Sequence, residues 1–296
     1  MNRSAPSRVG VIGLGRMGAS LCARLVEQGL SVVCTDRDPA RFDLVPSAAA
    51  RAADAAAVGV RASVVVTVLP GPGEVAEVCD ELVTAMDPGS LWVDCSTASP
   101  AVAGPIAAAG ARRGVAVVDA PLGGSPAAAH EGRLLSFAGG PAEDVARARP
   151  VLEAFADRIV HVGPHGSGYA VKLLANSLWF GQAVAVAEAL AIATRAGLDA
   201  ELVREALAGS AAASNFLSED APALLDGDEM PSFALSRCAE QLHSLAAFAD
   251  ELSVPADVLG AVASVHDGAL LRYGDVDGEL LGALWAAERG GVTFGR

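Results

Sequence analysis

One glycine-rich turn near the start of the chain restricts its possible folds more than any other feature. The turn has the pattern G-x-G-x-x-G and comprises Gly13, Leu14, Gly15, Arg16, Met17 and Gly18. It follows an apolar run that begins at Arg8, and it precedes a helical pattern that extends to Gln28. In such a unit the first glycine permits a tight turn, the second lets the backbone approach a pyrophosphate, and the third lets the helix pack on the strand. The pattern predicts a dinucleotide-binding unit, with a glycine-rich turn of another α/β fold as the alternative.

An acidic residue at the end of the next apolar run strengthens this prediction. Asp36 lies 18 residues after Gly18, which is the spacing expected for a carboxylate that binds the ribose 2′-hydroxyl. The carboxylate would repel a 2′-phosphate, so we expect NAD in preference to NADP. Arg37 keeps NADP open, because its guanidinium could stack on adenine or hold a phosphate.

The two halves of the chain have different patterns. Short Val- and Ile-rich runs alternate with helical patterns as far as about Gly163, and these runs are Arg8–Gly13, Ser31–Asp36, Ser63–Leu69, Ser90–Asp94, Ala116–Asp119, Leu134–Ala138 and Ile159–His161. Continuous apolar runs are typical of strands covered on both faces, and strand–helix–strand spacing predicts a mainly parallel, doubly wound sheet. Only helical patterns follow, at about Tyr169–Ala196, Ala200–Leu207, Phe233–Leu252, Val258–Tyr273 and Gly278–Ala287. We therefore predict an α/β protein with a Rossmann-type domain at residues 1–165 and an all-helical domain at 166–296.

Charge and cysteine content narrow the partners and the compartment. The 296 residues carry 35 acidic and 21 basic side chains, for a formal charge of −14, which argues against nucleic acid and anionic membranes as partners. The five cysteines are scattered without a C-x-x-C pair, as in a reduced, cytoplasmic protein. His161 and His165 have no carboxylate or cysteine partner at metal spacing, so we expect no metal site. No apolar run is judged long enough to span a bilayer.

A single lysine marks the candidate catalytic end of the chain. Lys172 is the only lysine, and it lies in an apolar helical stretch directly after the glycine-rich segment 163–168. Asn176 is four residues later, so the two side chains share one face of a helix. A desolvated lysine can release a proton near neutral pH and arginine cannot, which makes Lys172 a candidate general acid/base. Periodicity alone also allows a lysine that reaches solvent and an amide that caps or joins helices.

Two further segments follow strands, at the edge where open α/β sheets bind ligands. One is Asp94-Cys-Ser-Thr97, and the other begins at Asp119 and ends in Gly123-Gly124-Ser125. Glycines in such a turn can present backbone N–H groups to an anion. Taken alone, each segment is equally consistent with an ordinary turn at the end of a strand.

Together these motifs resemble the β-hydroxyacid dehydrogenase family, over essentially the whole chain. Residues 13–18 resemble its G-L-G-x-M-G nucleotide motif, Leu69-Pro70 its loop after a central strand, and residues 94–97 its D-x-S-T motif. DAPLGGSPAAAHEGRL at residues 119–134 resembles the substrate motif D-A-P-V-S-G-G-x-x-G-A-x-x-G-x-L. Residues 166–176 match G-x-G-x-x-x-K-x-x-x-N.

The resemblance implies a reaction, a set of roles and an assembly. Hydride would pass between a nicotinamide cofactor and a short 3-hydroxyacid or its semialdehyde, with Lys172 exchanging the proton and Asn176 holding the oxygen. Leu69, Pro70 and Thr97 would lie beside the cofactor. Ser96 and the turn at residues 123–125 would bind the substrate. The second domain would be helical and begin with a long helix that links the halves, and homodimers or homotetramers would be usual.

The chain departs from the family pattern at two places. The family's S-G-G is Gly123-Gly124-Ser125 here, so the hydroxyl has moved from the first position to the third. The family's K-D-L is Glu240-Gln241-Leu242, so an acid replaces a lysine that would face the substrate. Glu240 could point to solvent, or Arg237 could supply the missing positive charge. Alternatively the substrate is neutral, larger or cationic.

Two rival functions stay open at this point. An imine reductase-like or other non-carboxylate carbonyl reductase is compatible with Glu240, whereas Lys172 and Asn176 favour oxygen chemistry. A dinucleotide-binding protein without catalysis is the second rival, and the retained lysine argues against it.

Overall fold

The computed structural model describes residues 8–295, and its chain divides into two compact units, Met1–Lys172 and Leu173–Arg296. A long helix, Ser167–Arg195, begins in the first unit and continues in the second. The boundary proposed from the sequence, between residues 165 and 166, precedes that helix.

Among the described residues of the first unit, nine strands form one sheet. They are β1 (Val9–Ile12), β2 (Val32–Thr35), β3 (Ala50–Arg51), β4 (Val64–Thr67), β5 (Leu91–Asp94), β6 (Ala116–Asp119), β7 (Leu122–Gly123), β8 (Leu134–Gly139) and β9 (Ala156–Gly163). Each of the seven predicted runs contains or overlaps one of these strands. The two-residue strands β3 and β7 were not predicted, because neither forms an apolar run of its own.

The strand order is β3-β2-β1-β4-β5-β6-β8-β7, with β9 paired to β8. Strands β1 to β6 pair in parallel with one another, whereas β8 is antiparallel to β6 and β7 and parallel to β9. This is a doubly wound sheet, in which the order of the strands reverses at the neighbouring parallel strands β1 and β4. The predicted fold class is confirmed, with antiparallel pairing confined to the β6–β8 end.

Helices cover both faces of this sheet. They are α1 (Arg16–Glu27), α2 (Ala55–Gly59), α3 (Pro72–Ala85), α4 (Ala103–Arg113), α5 (Pro126–Glu131) and α6 (Ala142–Leu152). One hydrophobic cluster contains Val11 and Val93, and another contains Ile12 and Trp92. Consecutive residues of one strand are thus buried in hydrophobic clusters on opposite faces of the sheet. Because both faces are buried, the strand sequences are continuous apolar runs.

The second unit is helical. Its helices are α7 (Ser167–Arg195, which starts in the first unit), α8 (Ala200–Ala208), α9 (Ala221–Leu225), α10 (Leu235–Glu251), α11 (Asp257–Tyr273) and α12 (Leu281–Arg289). The sequence did not predict α9 or the π-helical turn at Phe216–Asp220 before it. Both are short and lack a repeated apolar spacing. Phe216 is nevertheless fully buried and packs edge-to-face on Trp179 of α7.

The length of α7 corrects one expectation from the sequence. Its 29 residues are long and apolar enough to cross a membrane by length and composition alone. Phe180, Val184 and Ala187 on this helix are buried in the hydrophobic clusters of the helical unit. Core packing therefore accounts for part of its apolar character, since 39% of the apolar stretch is buried.

Candidate functional site

The glycine turn has the backbone that its three glycines predict. Gly13 has φ +90°, and a Cβ there would collide with the carbonyl oxygen of Val68. A Cβ on Gly18 would collide with the carbonyl oxygen of Gly13, so helix and turn can approach only without one. Gly15 precedes α1, and no atom lies within 4 Å of the place its Cβ would occupy. The space beside Gly15, at the N-terminus of α1, is therefore open, and a pyrophosphate could bind there.

Asp36 is joined directly to this turn. Its Oδ2 accepts a hydrogen bond from the Leu14 N–H at 2.6 Å, and its Oδ1 accepts one from the Asp38 N–H at 2.8 Å. The structure therefore brings the predicted ribose carboxylate against the predicted phosphate loop. The neighbouring Arg37 pairs with Glu74 at 3.5 Å, so part of its charge is already neutralised.

The loops after β4 and β5 are tied together by Ser96. Its Oγ accepts a hydrogen bond from the Leu69 N–H at 2.8 Å and donates one to Asp94 Oδ1 at 2.7 Å. Only 1% of Ser96 is exposed. Thr97 is half-buried beside it, and Pro70 is exposed in the loop after β4. The hydroxyl of Ser96 is occupied within the protein, so it holds the loop at Leu69 in place.

A buried carboxylate network extends from Ser96 to the start of α7. Asp94 Oδ2 accepts a hydrogen bond from Tyr169 Oη at 2.6 Å, and Thr67 Oγ1 donates to Asp94 Oδ1. Trp92 Nε1 donates to that threonine oxygen at 2.8 Å. Burial raises the pKa of Asp94, and the hydrogen bonds from Thr67, Tyr169 and Ser96 oppose this effect.

A second buried carboxylate holds the backbone of the same helix. Asp119 Oδ1 accepts from the Gly166 N–H at 2.9 Å, and Oδ2 accepts from the N–H groups of Gly168 and Tyr169 at 2.8 and 3.3 Å. An anion at this end of a helix is also favoured by the helix dipole. Burial raises the pKa of Asp119 to about 6, and these backbone hydrogen bonds work in the opposite direction.

The candidate catalytic pair lies on the helix that these aspartates hold. Lys172 is half-buried on α7, and Asn176 follows one turn later on the same face. Asn176 Nδ2 donates a hydrogen bond to Gln241 Oε1 of α10 at 2.6 Å. This bond occupies one N–H of the amide group, which can still donate its second.

The two residues that depart from the family pattern both have local partners. Glu240 Oε2 accepts a hydrogen bond from Arg237 Nη1 at 2.7 Å, one helical turn away on α10. The charge of Glu240 is therefore largely compensated, at a place adjacent to the contact of Gln241 with Asn176. Ser125 Oγ accepts from the Ala128 N–H at 3.2 Å and caps α5.

The turn that would bind a substrate carboxylate has one position that requires glycine. Gly124 is exposed and has φ +119°, a conformation that residues with a Cβ rarely adopt. Gly123 pairs with Leu135 as the last residue of β7. The turn therefore begins directly at the end of a strand.

The sequence missed the partners that orient these groups. Asp94 and Asp119 were noted only as the first residues of motifs, and Tyr169 and Gln241 were given no role. Tyr169 contacts Asp94 across 75 positions of the chain, and Asn176 contacts Gln241 across 65. The sequence signal that could have identified these partners is an aspartate at the end of each of two apolar runs, Asp94 and Asp119.

Comparison with known proteins identifies the fold along most of the chain. Residues 8–163 match the family model of the NAD-binding domain of 6-phosphogluconate dehydrogenase. Residues 166–279 match the model described as NAD-binding of NADP-dependent 3-hydroxyisobutyrate dehydrogenase.

Individual proteins give the same result. The chain is 36% identical over 202 residues to an NAD-dependent L-serine dehydrogenase of Pseudomonas aeruginosa, covering 67% of this chain and 68% of that protein. It is 36% identical over 203 residues to a 3-hydroxyisobutyrate dehydrogenase of the same organism, with the same coverage. The solved structure of Mycobacterium tuberculosis 3-hydroxyisobutyrate dehydrogenase with L-serine has a TM-score of 0.86 at 25% identity, over 96% of this chain and 99% of that one. The resemblance noted in the sequence is thus confirmed: the chain belongs to the β-hydroxyacid dehydrogenase family and is an NAD- or NADP-dependent dehydrogenase that acts on CH–OH groups.

Proposed function

We propose that the protein interconverts a short 3-hydroxyacid and its semialdehyde, with Lys172 as the general acid/base and Asn176 as the ligand of the reacting oxygen. The observation that carries this proposal is the arrangement on α7. The only lysine of the chain shares a helix face with Asn176, whose amide is oriented by Gln241 at 2.6 Å. In oxidation the amine of Lys172 accepts the hydroxyl proton, and in reduction its ammonium donates a proton to the carbonyl oxygen.

The nicotinamide cofactor, when bound, supplies or accepts the hydride. The turn from Gly13 to Gly18 would hold its pyrophosphate, since the position of Gly15 is open to it. Asp36 and Arg37 would contact the adenosine ribose, and Leu69, Pro70 and Thr97 would border the rest. We propose NAD as the preferred form, because Asp36 would repel a 2′-phosphate and Arg37 is already paired with Glu74.

The backbone of the turn Gly123–Ser125 is the proposed place of the substrate carboxylate. The hydroxyl of Ser125 accepts the cap bond of α5, and its own proton stays available to an oxygen of the substrate. Ser96 contributes by holding the loop at Leu69 and not by touching the substrate. Similarity to proteins named for L-serine and 3-hydroxyisobutyrate supports a substrate of three or four carbons.

Glu240 is proposed to border this substrate as half of an ion pair. Its charge is compensated by Arg237 at 2.7 Å, so a carboxylate substrate meets no net negative charge from this turn. The main argument against a hydroxyacid substrate is repulsion between Glu240 and the substrate carboxylate, and the ion pair with Arg237 weakens this repulsion. For the same reason, Glu240 attracts a cationic imine less strongly than an unpaired glutamate at this position would.

One experiment separates this proposal from its two rivals. NADH fluorescence is titrated with protein, and turnover is then measured on a panel of short hydroxyacids, aldehydes and imines with both NAD(H) and NADP(H). We expect oxidation of a short hydroxyacid. Turnover restricted to imines would favour the reductase alternative, and tight NADH binding without any turnover would favour a binding protein.

The role of Lys172 is tested by a matched pair of variants. Lys172→Ala removes the amine, and Lys172→Arg keeps a positive charge that does not release a proton near neutral pH. We expect both variants to lose at least about a hundredfold in kcat, the scale of general acid–base catalysis. Full activity of Lys172→Arg would show that charge alone suffices.

We also propose that the protein is a homodimer that uses α7. Large apolar side chains stay exposed on this helix, with Leu174, Leu178 and Ile192 at 49%, 66% and 70% exposure. Several exposed apolar side chains on one helix are typical of a subunit contact. Sedimentation of the wild type and of Ile192→Asp tests this, because the variant should be a monomer. An unchanged mass would place the contact elsewhere or indicate a larger assembly.

A cytoplasmic location is proposed from the cysteines. All five lie within residues 8–295, and each is buried with a free thiol, as suits a reducing compartment. Fractionation of the native cell with antibody detection is the direct measurement.

A further inference from the structure

The start of α7 is held by two buried carboxylates from neighbouring strands. Asp94 and Asp119 are the last residues of β5 and β6, and they lie opposite each other in the register of these strands. Asp94 is 0% exposed and Asp119 is 1% exposed. All their partners belong to the first unit of the chain. Two buried carboxylates side by side are expensive to maintain, so their retention calls for an explanation.

Each carboxylate holds the helix through a different group of Tyr169. The Tyr169 Oη donates to Asp94 at 2.6 Å, and the Tyr169 N–H donates to Asp119 at 3.3 Å. Tyr169 is itself fully buried. The phenol bond fixes the rotation of the first turn about the helix axis, and the backbone bonds fix the position of its end. Together they leave the first turn of α7 one orientation relative to the sheet.

The glycines before Lys172 fit the same contacts. Gly166 has φ +88°, which turns its N–H toward Asp119. A Cβ on Gly168 would collide with the carbonyl oxygen of Phe137 and would lie 2.7 Å from both the carbonyl oxygen and Oδ2 of Asp119, closer than real contacts allow. Packing within the protein therefore explains both glycines: Gly166 by its positive φ, and Gly168 by its close approach to β8 and to Asp119.

The network also reaches the loop that would border the cofactor. Leu69 N–H donates to Ser96 Oγ, which donates to Asp94, and Asp94 accepts from Tyr169. Lys172 follows Tyr169 by three residues, or about 4.5 Å along the helix axis. One chain of hydrogen bonds thus connects the loop at Leu69 with the turn that carries the lysine.

We propose that Asp94, Asp119 and Tyr169 are positioning residues that hold the amine of Lys172 in register with the cofactor loop at Leu69. None of them touches the reacting atoms. The inference rests on the proposed role of Lys172, and it adds the part of the protein that orients this residue.

The chain offers a matched control, because it has only two tyrosines. Tyr273 of α11 lies in the helical unit, and its pKa is raised to about 12 by burial and by the nearby carboxylate of Glu288. Tyr169→Phe removes a hydroxyl from a fully buried bond to Asp94, and Tyr273→Phe removes the only other tyrosine hydroxyl, from a half-buried position in the helical unit. We expect Tyr169→Phe to lower kcat at least about tenfold while the dissociation constant for NADH changes less than about twofold. Tyr273→Phe should leave both constants unchanged.

A purely structural role predicts a different result. Both variants would then melt at a lower temperature, and neither would change kcat at a temperature where the protein is folded. A kcat for Tyr169→Phe within about twofold of the wild type would overturn the proposal.

A second measurement does not depend on turnover, and it is made on variants whose far-UV circular dichroism matches that of the wild type. Reductive methylation with ¹³C-formaldehyde labels Lys172 as the only ε-amine, and the signal of the N-terminal amine is distinct from it. We expect one sharp Lys172 resonance in the wild type, and a shifted or broadened one in Asp119→Asn and Tyr169→Phe. An unchanged resonance in both variants would refute the positioning role. If the wild type turns over no substrate while the resonance moves, the proposed reaction is wrong and the positioning of Lys172 stands.

Discussion

Replacing Asp119 by asparagine tests whether burial or hydrogen bonding controls the charge at the start of α7. Burial raises the pKa of Asp119 from 3.8 to about 6, although three backbone N–H groups favour its ionised form. A pKa difference of this size between the folded and unfolded chain corresponds to about 3 kcal/mol. The group is almost fully buried, so little of this energy is lost to screening by solvent.

The sign of the effect on stability follows from proton binding. Between pH 3.8 and about 6 the folded chain keeps the proton of Asp119 where the unfolded chain has lost it. The contribution of Asp119 to the free energy of unfolding therefore falls as the pH rises through this window. Asparagine has no proton to lose. Asp119→Asn should gain stability relative to the wild type by about 1.4 kcal/mol between about pH 5 and about pH 7.5.

Urea unfolding at the two pH values measures this difference. Trp92 reports the unit that contains Asp119, and replacing Trp179 and Trp285 by phenylalanine removes the signal of the helical unit. Asp43→Asn, an exposed carboxylate of the first unit, is the matched control. A relative stability that stays flat, or that falls with pH, would refute the argument, because the hydrogen bonds would then outweigh the burial.

Three other substitutions test the remaining parts of the site. Gly15→Ala should weaken NADH binding at least about tenfold and change the unfolding free energy by less than about 1 kcal/mol. The control Gly104→Ala should change the unfolding free energy equally little and leave NADH binding unchanged, because the added Cβ meets open space at both positions. A loss of binding that only follows a loss of stability would contradict this. Asp36→Ala should raise the ratio of kcat/KM for NADP to that for NAD at least about tenfold, and an unchanged ratio would move the carboxylate away from the ribose. Glu240→Lys breaks the pair with Arg237 and should raise kcat/KM for a hydroxyacid relative to a neutral alcohol. Equal effects on both substrates would show that Glu240 does not face the substrate.

The parts of the fold with a strong local pattern could be predicted from the sequence. The continuous apolar runs predicted seven strands, because residues of each strand are buried on both faces of the sheet. The segments that were missed lack such a pattern. Strand β7 has only two residues, and the π-helical turn at Phe216–Asp220 is stabilised by packing on Trp179, a residue far away in the chain. These elements are specified by contacts with residues far away in the chain, and a short stretch of sequence carries no information about such contacts.

The same distinction separates the two ends of the candidate site. The glycine turn could be derived residue by residue, because φ at Gly13 and the close approach of Gly18 are properties of one short segment. Glu240 could not be interpreted in this way. Its partner Arg237 was considered from the sequence, but helical spacing alone left solvent, the arginine and the substrate as equal possibilities. The structure adds the contact with Arg237 at 2.7 Å, and a role of Glu240 toward the substrate stays a proposal.

The G-x-G before Lys172 shows why a motif can be recognised without its physical cause. In the sequence, Gly166 and Gly168 are part of a glycine-rich segment before a helix and match the family motif. In the structure their N–H groups bind a carboxylate that lies 47 and 49 positions earlier in the chain, at the end of another strand. A side chain at Gly168 would collide with the carbonyl oxygen of Phe137 and with Asp119, so a substitution there should displace the start of α7 first and affect catalysis as a consequence. Because the strand register places Asp119 beside Asp94, the position of the lysine depends on the pairing of β5 with β6 as much as on its own helix.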